Sequence, residues 1–527
     1  MAVSDQQDVF DFLHSGTTFA ATSGGEDVRR IDTHCASIFL TGARAWKLKR
    51  AVRFPYLDFS TVDLRKQALT NELILNRRIA PDLYLGLHAI TRQQGGQLEL
   101  DGPGEPVDWV LEMRRFEDGA LLSELADRHT LPPGLLQDLT DGIVAFHCAA
   151  EVVPEPDGHA RFAAVVRMNV TTLEAYADLL GAENVAAVAR GLFSALSAGE
   201  HLLRQRSAAG RVRHVHGDLH LANIAVIAER ATPFDCLEFD AELATIDTLY
   251  DLAFLIMDLW QRDMRAEANL VFNRYLDLSG EDEGGLALMP LFLACRAVIR
   301  AHVAAAQAKR AGAGPGLAEN ARRYLRLALT LLHPAPAVLV ATGGLSGSGK
   351  STLGRGLAPW IGRAPGARIV RSDVLRKRLA GAAPETRLPD CAYTPEAGQT
   401  VYTEMMALTA TALDNGQAAV ADAVFAAGEE RENIERIAVE RAIPFLGLWL
   451  DCGENQRVAR IETRRHDASD ADADVARAQS SYALPDLKSW ETVNANLSSA
   501  EVLESASALL RQRQMLSREP GVPAHVA

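Results

Sequence analysis

The chain has 527 residues, 48% of them hydrophobic and 23% charged, which is the balance of a globular protein too long for one ordinary core. A formal net charge of −14 argues against a broad nucleic-acid-binding face and leaves room only for a local basic groove. No apolar run approaches a membrane span, the longest lying near Leu252–Met257, and Met1-Ala-Val-Ser-Asp lacks the basic start of a secretion signal.

Six cysteines, at 35, 148, 236, 295, 391 and 452, are scattered without a Cys-x-x-Cys pair, so reduced thiols and a cytoplasmic location are expected. Residues 1–30 are polar and predict at most a short helix. Ala36–Leu40 and Ala45–Lys49 read as strands joined by a hairpin turn at Thr41-Gly42-Ala43-Arg44. A helix is predicted over Leu64–Ile79, stopped at Pro81, followed by strands at Tyr84–Ile90 and Val107–Met113. Helices are expected at Leu135–Ala149, Thr171–Leu180 and Glu183–Gln205, then strands at Ile224–Ile227 and Pro233–Phe239. From Thr248 to Lys309, and again over Leu317–Leu332, the pattern is helical. His333-Pro-Ala-Pro-Ala337 reads as a domain boundary, giving domains 1–333 and 334–517 with a disordered tail at 518–527. Beyond it strands at Val338–Ala341, Arg368–Arg371, Ala418–Ala423 and Phe445–Leu450 alternate with helices, the signature of a parallel sheet.

Chemistry concentrates in two places. The first is His214-Val-His216-Gly-Asp218-Leu-His220-Leu-Ala-Asn223, followed by Pro233-Phe-Asp235-Cys-Leu-Glu238. Phosphoryl transfer to a hydroxyl needs a carboxylate at the acceptor and oxygen ligands for metal ions, which Asp218, Asn223 and Asp235 could provide. A metal hydrolase of the His-x-His-x-Asp-His kind is the alternative, but Leu219 follows Asp218 where the motif's third histidine is needed. His214 and His220 read as ordinary loop residues, and Asp240, Glu242 and Asp247 as a solvated face.

The motif His-Gly-Asp-Leu-His-x-x-Asn with a later Asp-x-x-Glu resembles the aminoglycoside/choline phosphotransferase branch of the protein-kinase-like fold. That resemblance implies Asp218 as catalytic base, Asn223 and Asp235 as Mg²⁺ ligands, His216 as a brace for the loop and Asp251 as the structural aspartate of the family. A kinase-like first lobe also needs a strand lysine for the phosphates and a helix glutamate to hold it. Lys47 or Lys49 can serve, with Lys47 favoured, and Glu72 lies on the next helix. Asp108–Arg115 would then be the adenine-facing hinge. No glycine-rich loop precedes the lysine strand, a departure that aminoglycoside-type enzymes tolerate.

The second place is Gly344-Leu345-Ser346-Gly347-Ser348-Gly349-Lys350-Ser351, a G-x-x-x-x-G-K-[ST] phosphate loop between strand and helix. Its nucleotide-binding set is Gly344, Ser346, Gly347, Ser348, Gly349, Lys350, Ser351 and Thr352, with Lys350 on the β/γ-phosphates and Ser351 on Mg²⁺. Arg371-Ser-Asp373-Val-Leu-Arg376 resembles the S/R-D-x-x-R segment of small P-loop kinases, the group of polynucleotide kinases, gluconate kinases and zeta-type toxins. By that similarity Asp373 would activate an acceptor hydroxyl and Arg376 would hold substrate. A helix-N-terminal aspartate answering the helix dipole is the plainer alternative. Asp422, ending a strand, could face Mg²⁺. Arg457, Arg460 and Arg464 share one helix face and could stabilise a transferring phosphate or form a solvated basic face.

The predicted architecture is thus two domains, an α+β protein-kinase-like domain followed by an α/β P-loop domain. The tandem resembles a bacterial fusion of a phosphotransferase with an ATP-binding protein. It implies ATP and Mg²⁺ at two sites and small-molecule hydroxyl acceptors, with no membrane partner and no broad nucleic-acid surface. The two halves would be either two kinases or one kinase with a nucleotide-binding regulatory domain.

Overall fold

The computed structural model describes residues 6–15, 28–33, 35–54, 57–154, 157–238, 240–280, 282–310, 315–464, 467–481, 487 and 489–516. The expected disordered tail at 518–527 lies outside the described residues. The chain divides into two compact units, Met1–Pro154 with Gly210–Asp251, and Glu155–Ala209 with Leu252–Ala527.

The first unit is built on a six-stranded sheet. In spatial order its strands are Arg29–Asp32, Ala36–Thr41, Arg44–Lys49, Glu105–Arg114, Tyr84–Arg92 and Leu98–Leu100, and every pairing is antiparallel. Side chains alternate across a strand. Trp46 and Leu48 therefore meet Phe39, Ile90 and Val110 on one face, beneath the short helix Gln7–His14 through Val9 and Leu13. Ala45, Lys47 and Lys49 point to the other face, where helix Val62–Arg77 packs Leu69 against Leu111 and Met113. Thr61 starts that helix by accepting the N–H of Leu64 at 3.3 Å. The unit is completed by helix Pro133–Ala149, the loop 215–223, the hairpin Ile224–Ile227/Arg230–Pro233 and a strand pair Val212–His214/Thr245–Asp247.

Two expectations need correcting here. The strand expected at Pro233–Phe239 does not form over residues 234–238: strand Arg230–Pro233 ends at Pro233, because Asp235 takes a left-handed backbone with φ +62°, and Phe239 lies outside the described residues. Asp108–Arg115 is no hinge along most of its length, since Glu105–Arg114 is an inner strand of the sheet. Asp108 is buried there, accepting from Arg65 Nε at 2.8 Å and Gln6 Nε2 at 2.7 Å.

The second unit joins a helical layer to a parallel sheet. Its helices include Gly158–Glu174, Ala182–Ala198, Glu200–Ala208, Arg265–Ser279, Met289–Arg310 and Pro315–Leu332. Glu283–Arg310 is long and apolar enough to cross a membrane, contrary to the sequence expectation, but it is a core helix with 67% of its apolar window buried. The sheet runs Arg368–Arg371, Ala419–Asp422, Leu339–Gly343, Phe445–Asp451 and Glu491–Asn494, parallel throughout. The phosphate-loop strand is central, and Val340, Leu353, Ile369, Val420, Leu448 and Leu510 form the core around it. The fold is α+β around an antiparallel sheet in the first unit, and the second unit carries an α/β parallel sheet with the phosphate loop at its central strand.

Candidate active sites

In the first unit the loop after Val212–His214 is shaped by one buried carboxylate. Asp251 accepts the N–H of His216 at 3.2 Å and of Gly217 at 2.9 Å, and meets His147 Nε2 at 3.1 Å. Gly217 needs its left-handed φ of +80°, and a Cβ there would lie 3.0 Å from Leu237. His216 donates from Nε2 to the Phe234 carbonyl at 3.0 Å and accepts the Asp218 N–H on Nδ1 at 3.3 Å. Burial holds its imidazole below the usual range, so it braces the loop as a neutral ring.

That brace sets Asp218 beside Asn223, whose Nδ2 donates to Asp218 Oδ2 at 2.8 Å. Asp235 is placed by two backbone bonds: its own N–H to Tyr84 Oη at 3.0 Å, and that of Cys236 to Asn76 Oδ1 at 2.9 Å. Lys47 Nζ donates to Glu72 Oε1 at 2.6 Å and to Asp235 Oδ1 at 2.5 Å. Burial pulls the Lys47 ammonium down, but Asp235 and Glu72 outweigh it and hold it well above its ordinary value. Burial likewise pushes Asp235 up, and Lys47 and Lys49 bring it below the carboxylate range.

Lys49 has a separate post. It is 1% exposed and bridges Glu72 Oε2 at 2.7 Å to Glu238 Oε1 at 2.5 Å. Glu72 therefore holds one lysine on each oxygen. The Lys49–Glu238 pair escaped the sequence reading, although the shared strand face of the two lysines was a signal for it. Oxygens of Glu72, Asp235 and Glu238 lie within 4.8 Å of one another.

In the second unit the chain leaves strand Leu339–Gly343 into the phosphate loop and enters helix Lys350–Leu357. Gly347 and Gly349 have φ of +83° and +98°, and a Cβ on Gly347 would sit 2.5 Å from the Arg457 carbonyl. Ser351 Oγ donates to Asp422 Oδ2 at 2.5 Å, so the phosphate-loop hydroxyl and the strand-end carboxylate meet directly. Lys350 Nζ donates to the Leu345 carbonyl at 3.2 Å, and burial draws its ammonium below the usual range despite Asp422 and Asp373. Thr352 is exposed one residue on.

Asp373 lies in the first turn of helix Ser372–Leu379. Burial pushes its carboxyl up against the pull of Arg371 and Lys350, and Ser469 hydrogen-bonds to it. Arg376 turns elsewhere: its Nη1 donates to the Ala392 carbonyl at 2.7 Å and its guanidinium lies over Tyr393. The three helix-face arginines are not a solvated face. Arg457 is buried and binds the carbonyls of Ser346 and Ala476, Arg460 those of Ser348 and Ala495, and Arg464 those of Ser469 and Ala471. Two sets of contacts were not read from the sequence. Arg371 reaches Asp422 at 3.4 Å and Asp467 at 3.2 Å, and Gln479 Oε1 accepts the Ser346 N–H of the phosphate loop at 2.7 Å.

Residues 339–485 match a family described as an AAA domain. Uncharacterised proteins of Mycobacterium bovis and Mycobacterium tuberculosis are 29% identical over 460 residues, 86% of this chain and 89% of theirs. A choline/ethanolamine kinase family protein from Mesorhizobium loti is 14% identical over 60% of this chain and 93% of its own, with a TM-score of 0.37. A gluconokinase from Sinorhizobium meliloti is 21% identical over 34% of this chain and 93% of its own, with a TM-score of 0.24. The family match falls on the part of the chain that holds the phosphate loop.

Proposed function

We propose that the protein is an ATP-dependent phosphotransferase with two separate transfer sites, each passing a γ-phosphoryl group to a hydroxyl of a small molecule. The observation that carries this reading is the doubling of complete phosphate-handling sets. One joins Lys47, Glu72, Asp235, Asn223 and Asp218; the other joins Lys350, Ser351, Asp422 and Asp373. The donor atoms suit Mg²⁺, which takes oxygen ligands. Asn223 commits Nδ2 to Asp218, which leaves its Oδ1, and with Asp235 it would hold the ion. In the second site Ser351 would be a direct ligand and Asp422 its partner. The ion supplies charge neutralisation along the phosphates.

The protein's own groups do the rest. Lys47 and Lys350 bring positive charge to the transferring phosphate, and the amides of Ser346–Ser351 cradle it. Asp218 and Asp373 take the proton of the attacking hydroxyl, each placed where a second carboxylate already stands. A net charge of −14 favours small-molecule acceptors over nucleic acid.

A second reading, a regulatory nucleotide-binding second half, is favoured by Gln479, which occupies a phosphate-loop N–H. Labelled ATP incubated with a metabolite extract separates the two. Products lost in Asp218→Ala alone and others lost in Asp373→Ala alone are expected. If Asp373→Ala loses nothing while Lys350→Ala alters the Asp218-dependent product, the regulatory reading replaces the bifunctional one.

A further inference from the structure

Strand Arg368–Arg371 stands at the edge of the parallel sheet, with Ala419–Asp422 on its inner side. An edge strand leaves a row of N–H and C=O groups without a strand to pair with. Here helix Arg265–Ser279 takes up part of that row, and the carbonyls just before it, with side chains, although the helix lies in sequence before the boundary expected at His333–Ala337. Asn273 accepts the Ile369 N–H on Oδ1 at 2.7 Å and donates to the Ala367 carbonyl at 3.1 Å. Asn269 donates to the carbonyls of Pro365 and Ala367, each at 3.0 Å.

The strand's first side chain is fixed in the same way. Arg368 is 0% exposed and donates to Asp277 at 2.6 Å and to Glu283 at 3.1 Å, with Asn273 Oδ1 at 3.3 Å. A buried guanidinium is tolerated only with such partners, so the strand cannot slide along its axis without breaking them. From Arg368 the chain runs without a loop to Arg371, which pairs with Asp422 and Asp467, and on to Asp373. One amide and two carboxylates thus address this four-residue strand, and a second amide, Asn269, holds the residues that lead into it.

We propose that Asn273 and Asp277 are positioning residues for Asp373, so that the helical layer preceding the boundary is a working part of the second transfer site. They hold the outer edge of strand Arg368–Arg371 while Ala419–Asp422 holds the inner one, and the carboxylate of Asp373 is thereby kept near Lys350 and Asp422. The inference rests on the reading of Asp373 as the acceptor-side base.

The test uses the full chain carrying Asp218→Ala, so that transfer from labelled ATP into a metabolite extract reports the second half. Asn273→Ala, the gentler Asn273→Asp and Asp277→Asn are compared with Asp373→Ala, and Arg274→Gln on the same helix is the control. Asp373→Ala is expected to lose the product. Asn273→Ala and Asp277→Asn should lower kcat on the order of 10- to 100-fold, the penalty of a displaced reacting group. The KM for ATP should stay within about twofold, because the phosphate loop is not on this strand, and the acid limb of the pH profile should move. A purely structural role would instead reduce the active fraction and leave the pH profile of the remainder unchanged, which overturns the proposal. Loss in Asp373→Ala with kcat and pH profile intact in the other variants also overturns it, while the acceptor reading stands. If Asp373→Ala keeps every product, the acceptor reading fails and the inference with it.

Discussion

Lys47 and Lys49 share a strand face and a glutamate, yet their removal should have opposite consequences. Lys49 is 1% exposed between Glu72 and Glu238, and Glu72 keeps Lys47 when Lys49 is lost. The charge left unpaired by Lys49→Met is that of Glu238, 7% exposed. Breaking a buried pair from one side typically destabilises by about 3–5 kcal/mol. For a unit of this size that lowers Tm by roughly 6–20 °C. The loss should depend on pH in a defined direction. Burial already raises the Glu238 carboxyl above its ordinary value, even with Lys49 present. A carboxyl with a raised folded pKa contributes stability that is present below its unfolded pKa and lost as pH rises through the folded one. Without Lys49 the folded value climbs further, so the deficit is largest at mildly alkaline pH and shrinks as the solution is acidified.

Lys47→Met should do the reverse. Its partner Asp235 is 38% exposed and can be served by water, so Tm should move by only a few degrees while Asp218-dependent transfer disappears. Differential scanning calorimetry at pH 8 and pH 5.5, beside the labelled-ATP assay, reads both variants. The reasoning fails if Lys49→Met melts within two degrees of the parent at both pH values, or if Lys47→Met keeps transfer.

Three further outcomes follow from the geometry. Asp251→Asn weakens the carboxylate that accepts two loop N–H groups, and should destabilise by about 2–4 kcal/mol and reduce Asp218-dependent transfer, read by thermal unfolding and product yield. Ser351→Ala removes the hydroxyl that meets Asp422, and should weaken ATP binding about tenfold with Mg²⁺ present and little with EDTA, read by calorimetric titration. Burial raises Asp373, so its contribution to stability is lost as pH rises through its folded pKa. Asp373→Asn should therefore melt higher than the parent at pH 8, with the gap closing as pH falls towards the ordinary carboxylate range. Transfer that depends on Asp373 should fail below an acid limb set by the same raised pKa.

The sequence was most informative where backbone chemistry dictates it. The phosphate loop announces itself through glycines whose left-handed φ angles no other residue adopts cheaply, and strand Arg368–Arg371 was read to the residue. Ile224–Ile227 was equally clear from its apolar run. Strand Glu491–Asn494 was missed because polar and apolar residues mix at a sheet edge, and Gly158–Val170 because its alanines and valines suit either state until Asp157 caps a helix. Lys47 and Glu72 were visible as types at a spacing. Arg371, Gln479 and the Asn273–Arg368 contacts were not, since they join segments 51–133 residues apart or address backbone atoms through common side chains. The strand expected at Pro233–Phe239 fails at Asp235, where a positive φ aims the carboxylate at Lys47 in place of continuing the ladder.

The amide-capped edge of the parallel sheet also bears on how the chain can be cut. A fragment beginning after His333 would contain every strand of that sheet and the whole phosphate loop. It would also bare the outer row of Arg368–Arg371 and leave Arg368 without Asp277 and Glu283. Such an edge is a template for another strand, and two fragments can satisfy each other there. Excision at the proline-rich linker would therefore trade a covered edge for self-association. A soluble P-loop fragment should begin upstream of Arg265, taking its own capping helix with it.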